Sequence, residues 1–175
     1  MAEPKPFTPV KLICGIISGD PSLYGRARGL LQDIHGPADL ESPAFEFDLT
    51  DYYAREMGGR LTRRFLSFEK LIEPDRLPAI KLETNRLEGA FRTPEQGPRP
   101  VNLDPGYLTA SALVMATTKD FSHRIPLAGG IYAHLEFLFT KTGVRALEWT
   151  YPDMRREPVQ AFFLEVRKKY LDQLR

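Results

Sequence analysis

The sequence predicts a mixed α+β fold, in which a ferredoxin-like βαββαβ unit is extended by an antiparallel hairpin and a C-terminal helix. Between residues 10 and 108, apolar runs and helical periodicities follow the order strand, helix, strand, strand, helix, strand, which is the order of that unit. Two alternating runs joined by a glycine-containing turn lie between residues 131 and 149 and predict a hairpin. From residue 158 to residue 174, apolar side chains recur on one helical face and predict the last helix.

The first strand and helix are predicted from one apolar run and one periodic segment. Leu12–Ile17 is continuously apolar and is followed by Ser18-Gly19-Asp20-Pro21, residues typical of a helix start. From Ser22 to His35 apolar residues recur at helical spacing, and Gly36-Pro37 ends the helix. Three prolines before Val10 indicate a loose leader over residues 1–9, followed by a single domain over residues 10–175.

The middle of the chain predicts two strands, a helix and a third strand. Residues 45–49 alternate between apolar and polar side chains, as in a half-buried strand. Beyond a tip at Gly58-Gly59, residues 61–70 alternate again and predict its antiparallel partner, with a helix as the rival interpretation. The apolar positions from Pro74 to Phe91 predict the second helix, and Val101–Leu108 is the next extended segment.

The last third of the chain predicts three strands and the closing helix. Thr109 is a candidate cap for a short helix up to Met115 or Ala116, with a strand as the alternative because β-branched residues follow. The predicted strands are His123–Leu127, Ile131–Thr140 and Val144–Trp149, and the predicted helix is Pro158–Leu174.

Composition restricts the class of protein. The 175 residues are 42% hydrophobic and 27% charged, which fits a globular domain with a sizeable core. A formal charge of +1 argues against a general attraction to nucleic acid or to an anionic membrane. No run reaches membrane-spanning length and no signal peptide is recognisable, so we expect a soluble, cytoplasmic protein. Cys14, the only cysteine, lies in the first apolar run and is expected to be a buried, inert thiol.

Six segments of the sequence resemble one known family. They are KLICGIISGDP, GPADLESPAFEFDLTDYYAREMG, RRFLSFEKLIEPDRLPAIKLETN, VNLDPGYLTASALVMATTKDFSHRI, GGIYAHLEF and WTYPD. From Val10 to Tyr170 the chain resembles the prokaryotic proteins known as domain of unknown function 4416. The resemblance implies this family alone and assigns no activity, cofactor or partner, and the chain lacks the GxxxxGK[ST] loop of nucleotide-binding proteins.

The most polar loop of the sequence, residues 117–124, is the first candidate binding site. It combines two fixed cations, one imidazole and three hydroxyl groups. Such a loop can bind phosphate or carboxylate, with Lys119 as a point charge and Arg124 as a planar fork. The alternative is a solvated connector in which Asp120 pairs with a neighbouring residue.

His123 is the candidate for proton transfer, because it lies among several polar residues. His35 is expected to end the first helix, and His134 to face solvent or a neighbouring strand. Asp104 is the second candidate catalytic residue, since a carboxylate that orients an imidazole is minimal equipment for acid–base chemistry. Asp104-Pro105-Gly106 is also expected to form a tight turn, and a structural hydrogen bond is the alternative role of His123.

Acidic and phenolic residues cluster near residues 48–56. Three acids near two phenols could hold a substrate amine or a hard divalent ion, and they are Asp48, Asp51 and Glu56 with Tyr52 and Tyr53. Asp51 and Tyr52 are expected to lie near the predicted pocket. The spacing matches no metal-binding loop, so no metal ligand is assigned and the cofactor stays unknown.

The favoured function is recognition of a small anionic ligand, a nucleotide or a phosphorylated metabolite, with hydrolase or transferase activity as an extension. The predicted pocket contains the candidate catalytic residues His123 and Asp104 and the candidate ligand-binding residues Asn102, Tyr107, Lys119, Arg124, Asp51 and Tyr52. The competing interpretation is a non-enzymatic module for protein–protein interaction or homo-oligomerisation, using the hairpin and the last helix. RNA binding through Phe65, Phe68 and Arg63 is a third, which the near-zero charge argues against.

Overall fold

Nine strands form one antiparallel sheet in the part of the chain that the computed structural model describes, residues 3–48, 57, 60–92 and 99–175. The strands are β1 (Val10–Ser18), β2 (Ala38–Glu41), β3 (Phe45–Glu46), β4 (Thr62–Ile72), β5 (Val101–Leu108), β6 (Ala112–Thr117), β7 (Ile125–Pro126), β8 (Tyr132–Phe139) and β9 (Val144–Ala146). The α-helices are α1 (Pro21–His35), α2 (Leu77–Ala90) and α3 (Glu157–Gln173), and short 3-10 turns cover Pro74–Arg76 and Pro152–Arg155. The order across the sheet is β2-β4-β1-β5-β6-β8-β7, with β3 beside β4 and β9 beside β8. The predicted mixed α+β class is therefore confirmed.

The predicted elements with the strongest periodicity agree with the structure to within three residues at each end. They are the first strand and helix, the strand after the glycine pair, the second helix, the strand at 101–108, the hairpin of β8 with β9, and the last helix. Local chemistry fixes the ends of α1: Asp20 accepts a hydrogen bond from the Ser22 backbone N–H at 2.7 Å, and Gly36 has φ +89° after the last turn.

Three predicted elements differ. Ala38–Glu41 forms β2, which was not predicted, and the strand predicted from Phe45 has two residues before the description ends at residue 48. Residues 112–117 form a strand and not a helix, because the Thr109 hydroxyl accepts from the Ala112 backbone N–H at 2.9 Å and so stabilises a tight turn between two strands. The strand predicted from His123 to Leu127 is reduced to two residues, Ile125 and Pro126.

The turn predicted at Asp104-Pro105-Gly106 is wrong, because all three residues lie inside β5. Gly106 is absent from the described glycines with positive φ, and it pairs with Met115 of β6. A Cβ atom at Gly106 would lie 2.5 Å from the Val114 carbonyl oxygen, so the glycine permits a close approach of two strands. Pro105 has no N–H to donate, and the β5–β6 ladder covers only residues 106–108 of β5. Towards residue 101 the two strands separate.

Helices cover both faces of the sheet. Alternate residues of β1 point to opposite sides, so Leu12, Cys14 and Ile16 join a core with α1 and α2. Ile13 faces the other side and joins the core formed with α3. Cys14 is buried as predicted, and this burial raises the pKa of its thiol well above the ordinary range.

The start of β1 is joined to α3 by polar contacts. Lys11 is buried and donates to Asp39 and to the Gln173 side chain. Burial lowers the pKa of Lys11 although Asp39 opposes the shift. The Tyr170 hydroxyl donates to the Pro9 carbonyl at 2.9 Å.

Among the helices of the described residues, none is long and apolar enough to cross a membrane.

Candidate functional site

A cavity of about 440 Å³ opens where β5 and β6 separate. This volume is in the range that small-molecule sites usually have. Its apolar wall is formed by Phe47, Met115, Ala116, Pro152 and Met154. Its polar wall is formed by Arg63, Lys81, Arg99, Asn102, Asp104, Thr117, Thr118, Lys119, Glu136, Tyr151 and Asp153. The cavity therefore lies beside the part of β5 that the β5–β6 ladder leaves unpaired.

Arg63 of β4 is the central cation of the cavity. It is 6% exposed and donates to Asp153 at 2.6 Å and to Asp104 at 2.9 Å. Its guanidinium lies over Phe65 at 5.0 Å and Phe47 at 5.6 Å from the ring centroids. Burial opposes its charge, yet the two carboxylates outweigh burial and raise the pKa of Arg63. Two acids and one base from three distant segments thus form one buried cluster.

Asp104 of β5 stays ionised in this cluster. Its carboxylate accepts from the Asn102 side chain at 2.8 Å and lies 3.6 Å from Lys81 Nζ. Burial would raise the pKa of Asp104, but Lys81, Arg63 and Arg99 together lower it below its usual value. Lys81 comes from α2 on the opposite face of the sheet and also donates to the Leu103 carbonyl at 2.8 Å.

Arg99 and Lys119 contribute the remaining cations of the cavity wall. Arg99 donates to Asn102 and lies 3.1 Å from Glu88. Burial raises the pKa of Glu88 although Lys81 and Arg99 oppose the shift, and its carboxylate accepts from the Leu103 backbone N–H. Lys119 lies on the β6 side of the cavity, where its backbone N–H donates to the Thr117 hydroxyl at 3.2 Å.

Glu136 and His134 of β8 form a second buried pair, next to Arg63. Glu136 is fully buried, and its Oε1 accepts from the Tyr151 backbone N–H at 2.8 Å. Its Oε2 lies 3.1 Å from His134 Nε2, but the two atoms are not aligned as a hydrogen bond, and neither has another partner among the described residues. His134 Nδ1 lies 3.2 Å from His123 Nε2 and accepts from Arg124 Nε at 3.3 Å.

Arg124 holds the loop that carries Lys119. Its guanidinium donates to the Lys119 carbonyl at 2.8 Å, to the Tyr151 hydroxyl at 2.7 Å and to His134. It also lies 4.8 Å from the centroid of the Phe121 ring. Arg124 is therefore buried and connects the loop to Tyr151 of the cavity wall. It is not among the described residues that line the cavity.

Comparison with known proteins identifies the family. The family model described as domain of unknown function (DUF4416) matches residues 8–170. The chain belongs to this family. No curated protein and no solved structure matches it.

In this DUF4416 chain the predicted site residues separate into three groups. Asn102, Asp104 and Lys119 line the cavity. His123 and Arg124 do not line the cavity and instead contact His134. Tyr107, Asp51 and Tyr52 complete the prediction, and the last two lie outside the described residues.

Tyr107 is separated from Asp104 by the alternation of β5. Residues three apart in a strand point to opposite faces, and Tyr107 packs with Leu77 and Ile131 on the α2 side. Asp104 is bound by Arg63 and Asn102, whereas His123 contacts His134, so the structure does not join the predicted acid–imidazole pair.

The sequence prediction omitted Glu136, which lines the cavity, and His134, which is buried next to it. Of the two expectations for His134, solvent exposure is wrong, since the residue is 1% exposed and its ring contacts His123, Arg124 and Glu136. The available signal is their spacing: two titratable residues two apart in an apolar strand share one face. The strand has a bulge at Glu136, because Val114 pairs with Leu135 and Leu113 with Phe137. Bulges of this kind are common next to active sites.

Within the described residues of this DUF4416 chain, no group of three His, Cys, Asp or Glu could hold a metal ion.

Proposed function

We propose that the protein binds a small anionic molecule, a nucleotide or a phosphorylated metabolite, in the cavity between β5 and β6. The observation that carries the proposal is the cavity wall, where charged side chains from β4, β5, β8 and α2 converge on one enclosed space. Buried charges are costly, and a fold that keeps this many of them around a cavity is typical of a binding or catalytic site.

The balance of charge favours an anion. The cavity wall carries four cations, Arg63, Lys81, Arg99 and Lys119, and three carboxylates, Asp104, Glu136 and Asp153, which leaves one net positive charge. Arginine supplies a planar pair of donors for phosphate and lysine a compact charge. The apolar wall with Phe47 and Met115 provides a surface for the uncharged part of a ligand.

Hydrolase or transferase activity is the extension of this proposal. It requires a proton-transfer group in contact with the ligand. Glu136 lines the cavity and meets this requirement, whereas His123 is separated from the cavity by His134. The candidate acid–base role therefore passes from His123 to Glu136.

A thermal-shift screen tests the binding proposal, because a ligand that binds only the folded protein raises its melting temperature. The probes are sulfate, pyrophosphate, AMP and glucose 6-phosphate. At a concentration of 100 times Kd, binding adds about 2.7 kcal/mol, which corresponds to roughly 5–11 °C for a protein of this size. Lys119→Met is expected to remove the shift, and Lys141→Met, at an exposed turn, to keep it. The absence of a shift with all four probes would contradict the proposal.

An interaction surface is the second candidate function, and exposed apolar residues near β7 favour it. Ile125 is 64% and Phe121 55% exposed, and Leu127 and Trp149 are also exposed. The last helix cannot contribute as predicted, because its apolar face packs in the core of its own chain. Light scattering up to millimolar concentration tests self-association, and a monomer throughout would argue against a homo-oligomer.

We also propose that residues 10–108 are a ferredoxin-like unit. The adjacent order β2-β4-β1-β5 and the position of α1 and α2 on one face support this assignment. An experimental structure in which β4 does not lie between β1 and β2 would contradict it.

A further inference from the structure

We propose that Glu136 takes up a proton when an anion occupies the cavity, and that His123 and His134 conduct this proton from solvent. The inference rests on the proposed function, since it concerns the same cavity. It assigns a role to three residues that form a continuous chain from the surface loop to the cavity wall.

Among the described carboxylates that line the cavity, Glu136 is the one that accepts no hydrogen bond from the Arg63 guanidinium. Asp104 and Asp153 each accept a hydrogen bond from the Arg63 guanidinium. Glu136 Oε2 is fully buried and has no aligned hydrogen-bond donor among the described residues. A second negative charge placed beside a buried carboxylate favours its protonated form. An entering anion therefore acts first on Glu136.

The hydrogen-bond directions set the path of the proton. Arg124 Nε donates to His134 Nδ1, so this nitrogen carries no hydrogen and the neutral ring carries its proton on Nε2, which faces Glu136. His123 Nε2 lies 3.2 Å from the same nitrogen, and in the tautomer protonated at Nε2 it can replace Arg124 as the donor to His134 Nδ1. In that tautomer of His123, the N–H bonds of both imidazole rings point from the surface towards Glu136.

Delivery of one proton takes two transfers. The Nε2–H bond of His123 breaks as an Nδ1–H bond forms on His134, and the Nε2–H bond of His134 breaks as an Oε2–H bond forms on Glu136. His123 regains a proton from solvent at its Nδ1, so one solvent proton has moved to Glu136. Both imidazole rings have then changed tautomer, and the hydrogen bond from Arg124 Nε to His134 Nδ1 is broken. The 3.1 Å contact of His134 with Glu136 is short enough for this transfer, and such contacts often align only on ligand binding.

The groups around Glu136 come from several elements. Arg63 of β4, Asp104 of β5 and Asp153 of the 3-10 turn line the same cavity, and His134 and Tyr151 contact Glu136 directly. Desolvation, and with it His134 and Arg124, lowers the pKa of His123, so this ring is uncharged at neutral pH and can conduct a proton without holding it.

Calorimetry with sulfate tests the proposal, because sulfate has no proton of its own to gain or lose near neutral pH. Titrations at pH 7 in buffers of different ionisation enthalpy give the number of protons taken up on binding. We expect about one proton for the wild-type protein, with affinity rising about tenfold for each pH unit lowered. Glu136→Gln is expected to bind sulfate with no proton uptake and no dependence on pH. The exposed Glu148→Gln is the matched control and should behave as the wild type.

Binding of sulfate without proton uptake, or uptake that persists in Glu136→Gln, would overturn the inference and leave the binding site intact. No binding of sulfate to the wild-type protein would overturn the anion site itself. A second measurement needs no variant: ¹⁵N NMR of the histidine rings in the intact protein distinguishes the two tautomers. In the absence of sulfate we expect His134 to carry its proton on Nε2, and a proton on Nδ1 in that state would overturn the proposed path.

Discussion

Replacing Arg63 with methionine is expected to destabilise the protein severely. The variant leaves the carboxylates of Asp104 and Asp153 in a buried site without the guanidinium that binds both. Removing one partner of a buried ion pair costs roughly 3–5 kcal/mol. At about 2–4 °C per kcal/mol, the melting temperature should fall by roughly 6–20 °C. Urea denaturation followed by circular dichroism measures the free energy directly.

The dependence on pH follows from Asp104. Its pKa is lowered in the folded protein, so the carboxylate contributes stability above its unfolded pKa, and this contribution is lost as pH falls through the folded pKa. Arg63→Met removes one cause of the lowered pKa. The difference between wild type and variant should therefore be largest at pH 7 and should shrink as the pH is lowered towards 3.

Arg64 is a matched control, because it is the next residue of the same strand and faces the other side. Its guanidinium is partly exposed and lies 3.6 Å from Glu41. Exposed pairs of this kind contribute about 0–1 kcal/mol, so Arg64→Met should change stability little. Adding Asp153→Asn to Arg63→Met should restore part of the loss. Equal losses for Arg63→Met and Arg64→Met would refute the reasoning.

Three further predictions concern the fold. Gly106→Ala should destabilise by about 1–3 kcal/mol in urea, because its Cβ would meet the Val114 carbonyl at 2.5 Å, and unchanged stability would contradict the close approach. Desolvation lowers the pKa of both His35 and His123 below 6.5 in the folded protein. Below about pH 6.5 the unfolded state therefore binds more protons than the folded state. Stability should therefore fall as pH is lowered below about 6.5, and a flat melting profile there would be inconsistent with it. Cys14 should react with a thiol-specific dye only on unfolding, and fast labelling of the folded protein would disprove its burial.

The elements that the sequence predicts well are those with a local cause. The apolar run before Ser18 and the helical spacing up to His35 specify β1 and α1 without reference to the rest of the chain. The turn predicted at residues 104–106 is wrong for an equally local reason, because proline and glycine occur more often in turns than in central strands. Only the pairing with β1 and β6 overrides that preference.

The candidate site is predicted in part. Lys119, Asn102 and Asp104 are found because polar residues are unusual beside apolar runs. The hydrogen bond of Arg63 to Asp153 joins residues 90 positions apart, and no local pattern indicates such a contact. The inclusion of Tyr107 is a different kind of error, since the alternation of an extended strand already excludes it from the face of Asp104.

The position of α3 has a consequence for how the chain folds. Phe162, Phe163 and Val166 pack against Ile13 and Phe65 in the core on one face of the sheet. The bond that ties the helix to the start of β1 spans 161 residues. Contacts at such separation form slowly and late, after loop closure has been overcome. A chain that emerges progressively during synthesis must therefore expose this aromatic face until α3 arrives, and shielding of nascent hydrophobic surface becomes part of its biogenesis.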